Sequence, residues 1–162
     1  MNSLELKSNN QKQLFSFENI FLDIVKLYDK KFSTENYCKK NKIDHRVIDV
    51  LGALEIPTAI NIINENVGNK IDGVTIHNNN VGYIALGCVV KGETSHYDIV
   101  ASQSAYGLTE LAISKNIILS NAILTVDNYE QAIARSKDDE TNKAYHAAKA
   151  CSRLIDIQNG KI

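Results

Sequence analysis

Continuous apolar runs and segments with apolar residues at helical spacing follow one another along the chain. Together they predict strands that alternate with helices. Near-continuous apolar runs, "YIALGCVV" at 83–90 and "IILSNAILTV" at 117–126, have the length of strands covered on both faces of a parallel sheet. "RVIDV" at 46–50 is a short β-branched strand, and "LFSFENIF" at 14–21 is a weaker candidate. The segments between them mostly carry apolar residues at helical spacing. The pattern predicts a parallel sheet between layers of helices in one α/β domain.

The start of the chain and one connection depart from this alternation. Residues 1–13 are polar and lack periodicity, which predicts a flexible arm ahead of a single domain at 14–162. The polar run "DGVTIHNNNVG" at 72–82 predicts a loop that can include a short hairpin. Pro57 suits the first turn of a helix that follows the strand at 46–50.

Composition excludes several classes of protein. The formal net charge of −1 provides no basic field to attract nucleic acid or a membrane surface. The apolar runs are too short to span a bilayer, and the polar N-terminal residues do not resemble a signal peptide. Three widely spaced cysteines indicate neither a disulfide framework nor a zinc site, and no His or Cys pair has metal-ligand spacing. We therefore expect a cytoplasmic protein without a bound metal.

Polar residues cluster where the predicted strands end. "GALE" follows the strand at 46–50, "KGETSH" follows 83–90, and "TVDN" lies at the end of 117–126. Ligands of open parallel sheets bind outside the carboxyl ends of the strands. These three groups therefore predict one binding site.

The stretch "KGETSHYDIV" at 91–100 supports two compatible interpretations. In the first, Ser95 and Asp98 form a capping box at the start of a helix. In the second, the free N–H groups and dipole of that helix bind a phosphate or a developing oxyanion, and Gly92 lets the backbone approach it. His96 in the first turn is either a surface or structural residue or a proton-transfer residue.

Two further charged residues have open roles when they are read alone. Arg135 is either a solvated cation near a helix C-terminus or a bidentate phosphate clamp. Glu55 follows a Gly-Ala-Leu turn, where its carboxylate or the neighbouring backbone could meet a ligand. Composition and spacing thus predict an α/β domain with an anion-binding pocket.

Several blocks of the sequence resemble the lumazine synthase family. "VLGALEIPTAI" at 50–60 is similar to the family's V-P-G-A-[FL]-E-[IL]-P segment, with Leu51 in place of the usual proline. "ALGCVVKGETSHYDIV" at 85–100 is similar to A-L-G-x-V-I-[RK]-G-x-T-x-H-[FY]-[DE]. "NAILTVDNYEQAIARS" at 121–136 resembles N-G-[VI]-L-T-x-[DE]-N-x-E-Q-A-x-x-R, and "NKAYHAAKA" resembles the closing N-K-G-x-[ED]-A-A helix. The blocks occur in the family's order.

The resemblance implies both a fold and an activity. The fold is a three-layer α/β/α sandwich with a mostly four-stranded parallel sheet of flavodoxin-like topology. The activity is that of a transferase in riboflavin biosynthesis, which condenses 5-amino-6-(D-ribitylamino)uracil with 3,4-dihydroxy-2-butanone 4-phosphate to give 6,7-dimethyl-8-ribityllumazine. No metal or redox cofactor is implied. Family members assemble as pentamers or icosahedral shells, and riboflavin synthase is a further partner that the resemblance suggests.

The resemblance also assigns roles by position. His96 corresponds to the proton-transfer residue, and Thr94, the backbone of Glu93 and Arg135 would hold the butanone phosphate. The residues lining the ribitylaminouracil site would be Phe21, Ala53, Leu54, Glu55, Cys88, Val89, Val90 and Asn121. In the family, the positions of Asn121 and Arg135 reach in from the neighbouring subunit.

Three departures from the family pattern keep alternatives open. The first strand matches poorly, so Phe17 competes with Phe21 as the aromatic residue that stacks on the pyrimidine. Residues 72–82 lengthen one connection, and Asp138 and Asp139 stand where a cation is usual. The alternatives are a catalytically weakened ligand-binding or shell-forming homologue and an unrelated flavodoxin-like phosphate-binding module. The enzyme is favoured by the intact set of Thr94, His96 and Arg135.

Overall fold

The computed structural model describes residues 13–19, 34–66, 70–71, 74–75, 80–137 and 141–161, and these contain six strands and five helices. The strands are β1 (Gln13–Asn19), β2 (Asp44–Val50), β3 (Lys70–Ile71), β4 (Val74–Thr75), β5 (Val81–Val90) and β6 (Ile118–Val126). The helices are α1 (Thr34–Lys40), α2 (Glu55–Glu65), α3 (His96–Ser114), α4 (Tyr129–Arg135) and α5 (Lys143–Gln158). None of these helices combines the length and the apolar character needed to cross a membrane.

One sheet of parallel strands organises the fold, in the order β2-β1-β5-β6. β1 pairs with both β2 and β5, and β6 pairs with β5 at the edge of the sheet. Because the strands run in the same direction, the segments that leave β2, β5 and β6 emerge at the same end of the sheet. The predicted α/β class with a parallel sheet is confirmed.

A hydrophobic cluster covers each face of the sheet, because alternate residues of β5 point to opposite sides. Ile84 and Leu86 pack in a cluster with residues of α1, α4 and α5. Tyr83 and Ala85 pack in the other cluster, with residues of α2 and α3. All residues from Gly82 to Cys88 are buried, so both faces of this strand require apolar or small side chains.

Two predictions about irregular segments lie partly outside the described residues. β1 begins at Gln13, the last residue of the predicted arm, whereas residues 1–12 lie outside the description. A short antiparallel hairpin is present, but it pairs Lys70–Ile71 with Val74–Thr75 and therefore starts before the predicted loop at 72–82. Phe21, Asp138 and Asp139 also lie outside the described residues.

The start of α5 is fixed by the side chain of Asn142, which is 1% exposed. Its Oδ1 accepts hydrogen bonds from the backbone N–H groups of Ala144 at 2.9 Å and Tyr145 at 3.2 Å. Its Nδ2 donates to the carbonyl oxygen of Lys137 at 3.0 Å, which ties the helix to the preceding loop. A single side chain therefore sets both the first residue of α5 and the position of its first turn.

Asn142→Ala should lower the free energy of unfolding by about 2 kcal/mol, because it removes the cap and leaves buried backbone groups without partners. The matched control is Asn128→Ala, which removes the exposed cap of α4 that accepts from the N–H group of Gln131. The control should cost about 1 kcal/mol or less. Urea unfolding at one protein concentration measures both free energies. Equal losses in the two variants would contradict the larger stabilisation assigned to the buried Asn142 cap.

Candidate active site

A cavity of about 480 Å³ lies at the carboxyl ends of β2 and β5, beside the start of α3. We call it the strand-end cavity. Its lining residues are Gly52, Ala53, Leu54, Glu55, Cys88, Val89, Val90, Gly92, Thr94, His96, Tyr97 and Val100. The structure therefore brings together eight of the residues predicted for the site: Ala53, Leu54, Glu55, Cys88, Val89, Val90, Thr94 and His96.

The β2–α2 turn supplies one wall of this cavity. Ala53 is buried and anchors the turn, whereas Leu54 and Glu55 are exposed towards the cavity side. The Glu55 carboxylate folds back over Gly52, so a Cβ atom at position 52 would collide with it. Glycine at position 52 therefore permits the observed position of the carboxylate at the start of α2.

The end of β5 supplies a second wall, which passes from the core to the cavity mouth. Cys88 is 5% exposed, Val89 is half-buried, and Val90 is 36% exposed. Burial raises the pKa of the Cys88 thiol to about 11. The thiol is therefore protonated at neutral pH and contributes a small apolar surface rather than a nucleophile.

The N-terminus of α3 supplies the polar end of the cavity, and the predicted capping box there is wrong. Ser95 is the N-cap residue, with φ −67° and ψ −1°, and its side chain makes no capping hydrogen bond. A capping serine needs an extended backbone to place its hydroxyl over the first turn, and this helical conformation prevents it. Instead, the backbone N–H group of His96 donates to Oγ1 of Thr94 at 3.4 Å.

The loop before α3 leaves space for a ligand. A Cβ atom built on Gly92 would meet no atom within 4 Å, so the backbone at this cavity-lining residue is open. Thr94 and His96 are exposed and line the cavity. Glu93 is also exposed but is not among the lining residues, so the structure brings only its neighbours to the cavity wall.

A second cavity, of about 490 Å³, lies along the edge strand β6 between α4 and α5. We call it the edge cavity. It is lined by Ser120, Asn121, Ala122, Ile123, Leu124, Thr125, Arg135, Lys143, His146, Ala147 and Ala150. Asn121 and Arg135 are therefore separated from the other predicted site residues, because the two cavities share no lining residue.

Two hydrogen bonds orient the predicted residues of the edge cavity. Oδ1 of Asn121 accepts from the backbone N–H group of Ile123 at 2.8 Å, which holds the side chain along the strand. Nη1 of Arg135 donates to the carbonyl oxygen of Gln131 at 3.2 Å, within its own helix. That bond uses one of the five N–H donors of a guanidinium.

Several cavity residues were not predicted as site residues, among them two in α3 and two in α5. Tyr97 and Val100 add to the strand-end cavity from the first turns of α3, and Lys143 and His146 add to the edge cavity from α5. The available signal was helical spacing, because residues three or four apart share a helix face. That spacing connects Tyr97 with Val100 and Lys143 with His146 once the helix starts are known.

The sequence matches the family model described as 6,7-dimethyl-8-ribityllumazine synthase over residues 24–159. This match covers most of the chain and includes both cavities. The chain belongs to the 6,7-dimethyl-8-ribityllumazine synthase family. The family prediction made from the sequence blocks is confirmed.

Individual relatives carry the same name. A 6,7-dimethyl-8-ribityllumazine synthase of Methylorubrum populi is 47% identical over 113 residues, which are 70% of this chain and 63% of that protein. The protein of Bartonella henselae is 42% identical over 120 residues, covering 74% of this chain and 72% of the relative. A 6,7-dimethyl-8-ribityllumazine synthase 1 of Rhizobium meliloti is 42% identical over 115 residues and 69% of each chain. The chain thus spans less than two thirds of the Methylorubrum populi protein.

Alkylation of Cys88 should report its raised pKa. Because less thiolate is present than at an ordinary cysteine, reaction with iodoacetamide should be slow at pH 7 and rise about tenfold per pH unit up to about pH 10. Mass spectrometry of the peptide that contains residue 88 measures the rate, with urea-unfolded protein as the control. A plateau near pH 9 in the folded protein would contradict the burial argument.

Proposed function

We propose that this chain is a transferase that condenses 5-amino-6-(D-ribitylamino)uracil with 3,4-dihydroxy-2-butanone 4-phosphate to give 6,7-dimethyl-8-ribityllumazine. The observation that carries the proposal is the strand-end cavity, whose lining gathers His96 and Thr94 with the β2–α2 turn and the end of β5. Membership of the family supports the same reaction. The described residues give no reason to prefer a catalytically weakened homologue.

The reaction joins two small molecules through proton transfers. The amine of the uracil attacks the ketone of the butanone phosphate to form an imine with loss of water. Phosphate then leaves, and the ring closes with loss of a second water. Holding both substrates side by side in one cavity lowers much of the entropic barrier. We assign proton transfer to His96, because histidine exchanges protons near neutral pH and this side chain lines the cavity.

The proposed phosphate site is the N-terminus of α3. Backbone N–H groups and the helix dipole favour an anion at that position, and Gly92 leaves the backbone open to it. Thr94 and the backbone of Glu93 would contact the phosphate, with Arg135 completing the site. The uracil would lie against Ala53, Leu54, Glu55, Cys88, Val89 and Val90, with Asn121 and the aromatic residue Phe21 as further contacts.

We further propose that two subunits share each site. Asn121 and Arg135 line the edge cavity, which has no residue in common with the strand-end cavity of the same chain. A neighbouring copy that places its edge cavity against the strand-end cavity would complete the residue set. The required contact is heterologous, which is the type that closes into rings.

Exposed apolar side chains on α3 support the same assembly. Ile99, Tyr106 and Ile113 are 52%, 67% and 77% exposed and recur every seven residues, so they form one stripe along the helix. Burial of such a stripe against a second copy would remove apolar surface from water. We propose a pentamer, with an icosahedral shell as its larger form and riboflavin synthase as a further partner.

The proposal includes the topology of the sheet and the layering of the helices. We propose a four-stranded parallel sheet of flavodoxin-like topology, which is supported by the strand order β2-β1-β5-β6. Helices pack on both faces, as in a three-layer sandwich formed by one domain at 14–162. The three cysteines are buried and form no disulfide bond with one another, and we propose a cytoplasmic location.

The test mixes purified protein with both substrates and follows the absorbance and fluorescence of the lumazine. Wild-type protein should form product faster than the uncatalysed condensation. His96→Ala should slow the single-turnover rate by about 10²-fold, the low end for acid–base catalysis, because the positioned amine and ketone can condense without a protein base.

The control for His96→Ala is Lys149→Ala, which changes an exposed residue of α5 that lines neither cavity. Its rate should equal that of the wild type. Absence of product above the uncatalysed level would refute the proposed function. If His96→Ala leaves the rate unchanged, His96 does not transfer protons and is only a residue of the first turn of α3.

A further inference from the structure

Three basic side chains line the edge cavity. Arg135 comes from the last turn of α4, and Lys143 and His146 come from the start of α5. None of the lining residues in this part of the chain carries a carboxylate. A cavity with this lining attracts an anionic group more strongly than a neutral one.

The geometry of α5 directs His146 to the same side as Lys143. Lys143, His146, Ala147 and Ala150 are spaced i, i+3, i+4 and i+7, so they occupy one face of the helix. The two alanines have no atoms beyond Cβ and leave room beside the imidazole. The Asn142 cap fixes the first turn of α5, so the orientation of this face is fixed as well.

We propose that His146 is a further substrate-binding residue, which contacts the phosphate of the butanone phosphate together with Arg135. The inference rests on the proposed function and names an additional contact at its phosphate site. The family pattern has an acid at this position, so the resemblance does not imply this role. A positive or hydrogen-bond-donating group here adds a contact that an acid cannot provide.

The proposal predicts selectivity between the two substrates. The phosphate carries negative charge and several acceptor oxygens, whereas the ribitylaminouracil carries neither a phosphate nor a full negative charge at its ring. A change of charge at position 146 should therefore alter the KM of one substrate and leave that of the other unchanged. His146 is exposed, so screening by solvent keeps the effect moderate.

The experiment is a charge series at position 146: His146→Lys, His146→Gln and His146→Glu. Each replacement is compatible with an exposed helical position, so the fold should persist. Relative to wild type, the KM of the butanone phosphate should stay equal or fall with Lys, rise about 2- to 5-fold with Gln, and rise about tenfold with Glu. The KM of the uracil should remain constant throughout.

The matched control is Lys149→Gln and Lys149→Glu, because Lys149 is exposed on α5 but does not line the edge cavity. These variants should leave both KM values unchanged. If the Lys149 variants change the KM of the butanone phosphate as the His146 variants do, the cause is the overall electrostatic field of the protein. The proposed contact is then wrong. An unchanged KM for the phosphate substrate across the His146 series would also overturn it.

Binding of inorganic phosphate tests the contact at His146 independently of the proposed reaction. Its equilibrium binding, measured by calorimetry, should weaken in the order Lys or His, Gln, Glu at position 146. Should the wild-type protein form no lumazine, the proposed function fails, and this ranking alone decides the inference. The expected order supports a phosphate contact at His146, and equal binding by all variants refutes it.

Discussion

The parallel pairing of β5 with β1 and β6 is the constraint on which the rest of the structure depends. β5 is buried on both faces, so helices must cover each side of it. The N–H group of Lys91 donates to the carbonyl oxygen of Val126 at 2.9 Å, which extends the β5–β6 contact to the first residue of the loop. The positions of Thr94 and His96 follow from this fixed exit.

The same sheet separates the two halves of the proposed site. The strand-end cavity forms where β2 and β5 end, whereas the edge cavity runs along the outer strand β6. One half offers a helix N-terminus and apolar walls, and the other offers Arg135, Lys143 and His146. In the proposed assembly a second copy brings the two halves together, so assembly and catalysis depend on the same contact.

Sequence alone could predict the elements whose environment is uniform. β5 is buried on both faces and therefore appears as a continuous apolar run, and its polar exit marks the site. β1 has a weak apolar pattern and yet lies inside the sheet, because backbone hydrogen bonds to two neighbours hold it there. The capping box predicted at Ser95 and Asp98 is wrong, since residue types do not reveal the helical backbone that moves the Ser95 hydroxyl away from the first turn. Nor could spacing show that Asn121 and Arg135 lie in a separate cavity, because which strand forms the edge is decided by tertiary packing.

The central claim is that two subunits complete each site, and subunit mixing tests it most directly. His96→Ala removes a residue of the strand-end cavity, and Arg135→Ala removes one of the edge cavity. Unfolded together in equal amounts and reassembled, the two impaired variants should regain activity, because about a quarter of the head-to-tail interfaces would carry neither lesion. Light scattering must show that the assemblies have reformed. Reassembled mixtures no more active than the separately refolded variants would contradict the account, as would a fully active monomer.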